Sequence, residues 1–137
     1  MAVPQSPHQL VNPETMAPAS GFAHAVVAAP GRLVFLGGQT SHDAEGVCRG
    51  DTVVEQFDLA LGNIATALAA AGGCPEHLVS MQIFVTRIDD YRSSMRELSQ
   101  RYRARFGRHY PAMALFEVTS LLDPLAQVEL VCVAVVP

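Results

Sequence analysis

Cysteine is scarce and odd in number: Cys48, Cys74 and Cys132 are the only three, without CxxC spacing. That argues against a disulfide framework and gives a structural zinc no ligand set. The three read as free thiols. None of the five histidines forms HExxH or another ligand-spaced pair, so neither a metal nor another cofactor is expected. No apolar run approaches the roughly 18–20 residues needed to cross a bilayer. The start, with Pro4, Pro7, Pro13 and Pro18, lacks the basic-then-apolar order of a signal peptide. A cytoplasmic protein with no membrane partner is expected. Positive charge is short as well, nine basic side chains against thirteen acidic ones for a net −4. A nucleic-acid binder usually carries a basic balance or a basic face, so nucleic acid is not an expected partner.

What the sequence does have is material for a core. Its 137 residues are 50% hydrophobic, enough for one compact domain. Residues 1–20, rich in proline and without periodicity, read as an irregular arm, leaving 21–137 as the single domain. His24 to Ala28 and Leu33 to Leu36 read as two short strands, joined as a hairpin through Ala29-Pro30-Gly31-Arg32. The second runs into Gly37-Gly38-Gln39, where paired glycines mark a bulge or a close approach to the backbone. After a polar loop over 41–50, Thr52 and Glu55 stand at capping-box spacing. Val54, Phe57, Leu61, Ile64, Leu68 and Ala71 then recur at three- and four-residue steps until Gly72-Gly73, the pattern of a core-facing helix.

Met81, Ile83 and Val85 alternate as a strand, and Tyr91, Met95, Leu98, Tyr102 and Phe106 form the stripe of a second helix ending at Gly107. Its arginines read as a solvated face. Two strands remain, one from His109-Tyr110-Pro111 to Val118 and one over 127–136, with a Leu122-Asp123-Pro124 turn between them. In the last strand Val128, Leu130, Cys132, Ala134 and Val136 alternate with Glu129, Val131, Val133 and Val135. Both of its faces are apolar, so both must be covered. The order predicts an α+β domain, a mixed sheet with two helices on one face and the other face buried between subunits. Glu129 interrupts that apolar pattern, and a carboxylate there is either at a wet strand end or functional.

Arg32-Leu33-Val34-Phe35-Leu36-Gly37-Gly38-Gln39, Ala65 to Gly72, Ile83-Phe84-Val85-Thr86, Tyr110-Pro111-Ala112, Val128-Glu129-Leu130 and Ala134-Val135-Val136-Pro137, taken in order, resemble the RidA/YjgF/UK114 (reactive intermediate deaminase) family. The resemblance implies a chorismate mutase-like α+β fold, assembled as a homotrimer with small-molecule clefts between subunits. Active members hydrolyse 2-imino acids and their enamine tautomers. Their arginine after Pro-Ala, which pairs bidentately with the substrate carboxylate, corresponds here to Met113, and a frequent cysteine two residues on corresponds to Leu115. The aromatic near the N-terminus corresponds to Phe22 and a helix asparagine to Met95. The family's water-orienting glutamate corresponds to Glu129, and Gly38 to a glycine whose backbone faces the cleft.

These replacements imply a cleft that is apolar around one carboxylate, suited to acid–base chemistry on an uncharged, fairly apolar imine, enamine or enol rather than on a 2-imino acid. Glu129 and Gly38 are the expected catalytic pair. Phe22, Met95, Met113, Leu115, Glu117 and Tyr110 are the expected substrate-binding positions, with His109 and His24 as further polar candidates and Glu117 alternatively a solvated strand end. A non-catalytic trimer binding a metabolite or a partner protein is the competing reading. Ribonuclease activity is disfavoured by the acidic balance and the missing arginine.

Overall fold

The computed structural model describes residues 5–137; positions 1–4 of the expected arm lie outside the described residues. The elements are β1 (Gln9–Val11), β2 (Ala25–Val27), β3 (Arg32–Gln39), α1 (Val53–Ala70), a 3-10 turn (Pro75–His77), β4 (Leu78–Val85), α2 (Ile88–Ser93), α3 (Met95–Phe106), β5 (Ala112–Glu117) and β6 (Val128–Val136). The main sheet runs β3-β6-β4-β5. β6 is antiparallel to both neighbours, and β4 and β5 are parallel. The fold is the mixed α+β sheet that the sequence predicts.

Helix α1 starts where its capping residues put it. The Thr52 side chain accepts the Glu55 N–H at 3.2 Å, satisfying a first-turn donor that would otherwise have no partner. Val54, Phe57, Leu61, Ile64 and Leu68 are all buried, packed with Leu98, Tyr102 and Phe106 of α3 and with Val128, Leu130, Cys132 and Ala134 of β6. Hydrophobic burial on this side of the sheet is the main stabilising term. Asp58 on α1 ties the helices together at the surface, accepting from Arg105 at 2.8 Å and Arg101 at 3.0 Å, so two of the arginines read as merely solvated carry a tertiary contact.

The expected hairpin between the first two strands does not form. β2 pairs with β1 in a separate two-stranded sheet, while β3 pairs with β6. Its supposed turn is held instead by His8, whose Nδ1 accepts the Ala29 N–H at 3.0 Å and whose Nε2 donates to the His77 carbonyl at 3.0 Å. A carbon at the Gly31 Cβ position would lie 2.5 Å from the Val136 carbonyl oxygen, so this glycine lets β3 start alongside the end of β6. The second helix is also divided, at Ser94, with φ −112° and ψ 11°. Ser93 Oγ donates to the Asp90 carbonyl at 3.1 Å, the local side-chain bonding by which serine competes with helix continuity.

The sheet face away from the helices carries Leu33, Phe35, Val131, Val133, Phe84 and Phe116, by the pairing register and alternation. Phe84 and Phe116 stack with centroids 5.5 Å apart. Leu33 and Phe35 remain 63% and 75% exposed in the single chain, a patch of the kind that marks a contact surface.

Candidate functional site

Glu129 projects from β6 on this outer face, paired in register with Phe84 of β4. Beside it, β3 bulges: the register with β6 shifts between Leu36 and Gln39, leaving Gly37 and Gly38 without partners in the ladder. A Cβ at position 38 would sit 2.0 Å from Glu129 Oε1. Only glycine lets that carboxylate lie over the strand.

Together Gly38 and Glu129 border a cavity of about 500 Å³ whose rim includes Leu122 and Pro124. The remaining lining is Thr40, His42 and Asp123, and these three are hydrogen-bonded in series. The Thr40 hydroxyl meets His42 Nδ1, and His42 Nε2 meets Asp123 Oδ2 at 2.9 Å. Because the carboxylate can only accept, Nε2 carries the proton; a neutral His42 then accepts at Nδ1 from the Thr40 hydroxyl. The Asp123 carboxyl is held below the usual carboxylate range, first by the Leu125 backbone N–H and then by the His42 bond.

Both ends of the series are fixed from α1. Asn63 Nδ2 donates to the carbonyls of Thr40 at 2.8 Å and His42 at 2.9 Å. Buried Gln56 donates to the carbonyls of Gly50 at 3.1 Å and Leu125 at 2.9 Å, and its Oε1 accepts the Gln127 N–H at 2.8 Å. Asp123 Oδ1 itself accepts the Leu125 N–H at 2.9 Å, an Asx-type turn. Of the expected site residues this cavity holds Glu129 and Gly38, and Thr40, His42 and Asp123 add polar groups beside them. No spacing marks His42, whose partner Asp123 is remote in sequence, and the local signal is a polar loop following the paired glycines.

The other candidates lie elsewhere. Phe22 and Tyr110 line a second cavity, of about 450 Å³, with Ser99 and Arg103 among its other walls. Tyr110 stacks on Tyr102 at 5.1 Å. Met113 and Leu115 pack against the helix-side core and pair with Met81 and Ile83. Glu117 accepts the Ile88 N–H at 3.1 Å, closing the start of α2, and Met95 opens α3 with half its surface exposed. His109 is buried, donating from Nε2 to the Leu78 carbonyl at 2.8 Å, while its own carbonyl accepts from Tyr102 Oη at 2.5 Å. Burial lowers its pKa. His24 binds the Ala17 carbonyl at 2.7 Å and so ties the arm.

Within one protomer β4 separates Glu129 on β6 from Met113 and Leu115 on β5, two strand spacings or roughly 10 Å, and the two groups point to opposite faces. Among the described residues, no group of three or more His, Cys, Asp or Glu side chains is placed to hold a metal ion, and no helix is long and apolar enough to cross a membrane.

A family model described as Endoribonuclease L-PSP matches residues 13–136. The conserved Rid-family protein YyfB of Yersinia pestis superposes with a TM-score of 0.86 at 26% identity, covering 94% of this chain and 98% of that one. Rv2704 of Mycobacterium tuberculosis, a member of the YjgF/YER057c/UK114 family, is 33% identical with a TM-score of 0.63, covering 85% of this chain and 87% of that one. RidA from the Antarctic bacterium Psychrobacter sp. PAMC 21119 shares the fold at 24% identity and a TM-score of 0.67, covering 88% of this chain and 92% of its own. No curated protein matches the chain significantly. A match that spans nearly the whole domain, together with a one-third-identical relative, places the chain in the Rid (YjgF/UK114) family to which the L-PSP model corresponds.

Proposed function

We propose that this Rid-family chain is a deaminase-type hydrolase of a small imine, or of its enamine tautomer, that carries no carboxylate. The observation behind this reading is the Glu129 carboxylate, lodged on Gly38 in a cavity lined by no arginine or lysine. A second carboxylate, Asp123, lines the same space. Within one protomer an anionic substrate would meet two carboxylates there and neither arginine nor lysine, an arrangement that disfavours binding. The same charge balance argues against a phosphodiester and hence against ribonuclease action.

The reading includes a homotrimer. The exposed outer face offers an apolar contact surface, and a neighbouring copy is a way to bring the Phe22 and Tyr110 cavity, with Met113 nearby on β5, close to Glu129. In such a cleft Glu129 takes a proton from the attacking water.

The test is ammonia release from diphenylmethanimine, a stable ketimine without a carboxylate, and from freshly generated 2-iminopropanoate. The unmodified protein is expected to hydrolyse the ketimine above buffer rate, and Glu129→Gln to lower kcat by about 10²–10⁴-fold. Preference for 2-iminopropanoate would show that another cation serves the cleft. Relief of inactivity toward 2-iminopropanoate by Met113→Arg would support a shift in specificity alone. Inertness toward both compounds in a stable trimer would favour a ligand-binding module.

A further inference from the structure

The hydroxyl, imidazole and carboxylate in series beside Glu129 resemble the apparatus that activates a nucleophile for acyl transfer. The charge of the cavity decides against that use. Acyl transfer develops an oxyanion, which needs donors or cations aimed at it. Here the space is bordered by Glu129 and by the Asp123 side of the series, with no lysine or arginine among its lining residues. The Glu129 carboxylate stabilises positive charge instead, so the ligand that fits carries a protonated nitrogen.

We propose that the Glu129 cavity binds a cationic nitrogen of the amidinium or iminium class and that Thr40, His42 and Asp123 form its proton relay, with the Thr40 hydroxyl as the group that meets the ligand. This rests on the hydrolase reading above and adds a second proton-transfer centre to it.

The geometry allows both states of such a relay. With His42 neutral, its Nδ1 accepts the Thr40 proton. With His42 doubly protonated and paired to Asp123, Nδ1–H donates to Thr40 Oγ, and the hydroxyl proton turns to the cavity. Hydrolysis then balances as follows. Water forms a bond to the iminium carbon and gives one proton to Glu129, leaving a neutral carbinolamine. Thr40 passes a proton to its nitrogen and is refilled from the His42 imidazolium. The C–N bond breaks with its electron pair leaving on ammonia, the hydroxyl proton of the carbonyl product returns through Thr40 to His42, and Glu129 gives its proton to ammonia. Iminium and water become carbonyl and ammonium. Asn63 and Gln56 act as positioning residues, since they hold the two loops that carry the relay.

The experiment combines binding and turnover on the full chain. Titration with benzamidinium is expected to show saturable binding that Glu129→Gln weakens at least tenfold, while benzoate does not bind. Hydrolysis of diphenylmethanimine is expected to fall by about 10²-fold in kcat in Thr40→Val and His42→Gln with little change in KM. Thr40→Ser, which keeps the hydroxyl, is expected to restore most of the rate. Wild-type turnover that survives in Thr40→Val and His42→Gln within twofold, but not in Glu129→Gln, overturns the relay and leaves the hydrolase reading standing. Benzoate binding better than benzamidinium overturns the cationic specificity. A wild-type protein inert toward both imines overturns the hydrolase reading and the relay with it.

Discussion

Glu129 Oε1 occupies the space that a β-carbon on residue 38 would need, 2.0 Å from where that carbon would be. A carboxylate on one strand is therefore set by the absence of a side chain on the next. Gly38→Ala is expected to push the Glu129 side chain out of place and lower turnover of diphenylmethanimine at least tenfold. Gly38 is exposed and sits in a bulge with an ordinary negative φ, so the melting temperature should move little. A large fall in melting temperature with kcat unchanged would reverse this assignment.

Gln56 is 1% exposed and bonds three backbone groups, those of Gly50, Leu125 and Gln127. Gln56→Leu fits the volume but leaves those groups unpaired in a buried place. The expected loss is about 2–3 kcal/mol by urea unfolding, with kcat also reduced because the Asp123 turn loosens. Unchanged stability would mean that water replaces the amide.

His109 gives the stability a pH dependence of definite sign. Its native pKa lies below the ordinary 6.5, chiefly through burial, with the Leu78 carbonyl and Glu76 opposing and His8 and His77 adding to the shift. Tyr102 also bonds to its backbone. A depressed histidine binds more protons unfolded than folded, so its contribution is full above about 6.5 and is lost as pH falls below that toward the native value. The protein should be more stable at pH 7.5 than at pH 5.5 in urea melts, and His109→Gln should shrink that difference. An undiminished difference would overturn the assignment to His109.

Phe35 is 75% exposed on the face opposite the helices. Phe35→Glu is expected to convert a trimer to monomers in light scattering after gel filtration, without unfolding the helix-side core. A monomeric wild type would remove the intersubunit cleft from the functional reading.

Much of this organisation was legible in the sequence. The stripe from Val54 to Leu68, the Thr52 cap and the alternation of β6 each report a local preference, and in each the tertiary structure agrees with it. The hairpin expected over Pro30-Gly31 failed because turn chemistry reports a bend but not the partner beyond it. Here β1 captured β2 while β6 captured β3. Ser94 hid a helix break for a related reason, since serine is tolerated in helices and breaks them only in context. The family-matched positions were legible as residues; within one protomer β4 lies between Glu129 and Met113, so grouping them takes a second copy, as the resemblance implies. His42 and Asp123 are 81 residues apart, beyond the reach of any spacing rule.

β6 is the last element in the chain and sits inside the sheet, between β3 and β4. Until Val128–Val136 is in place, β3 has no neighbour in the main sheet and β4 has only the parallel partner β5. The main sheet therefore cannot grow outward strand by strand in chain order; its middle is filled by the strand that follows the other three in sequence, against a long loop closure. The same insertion brings Glu129 to Gly38, so the cavity comes into being in the step that completes the sheet, and no partly made chain carries it.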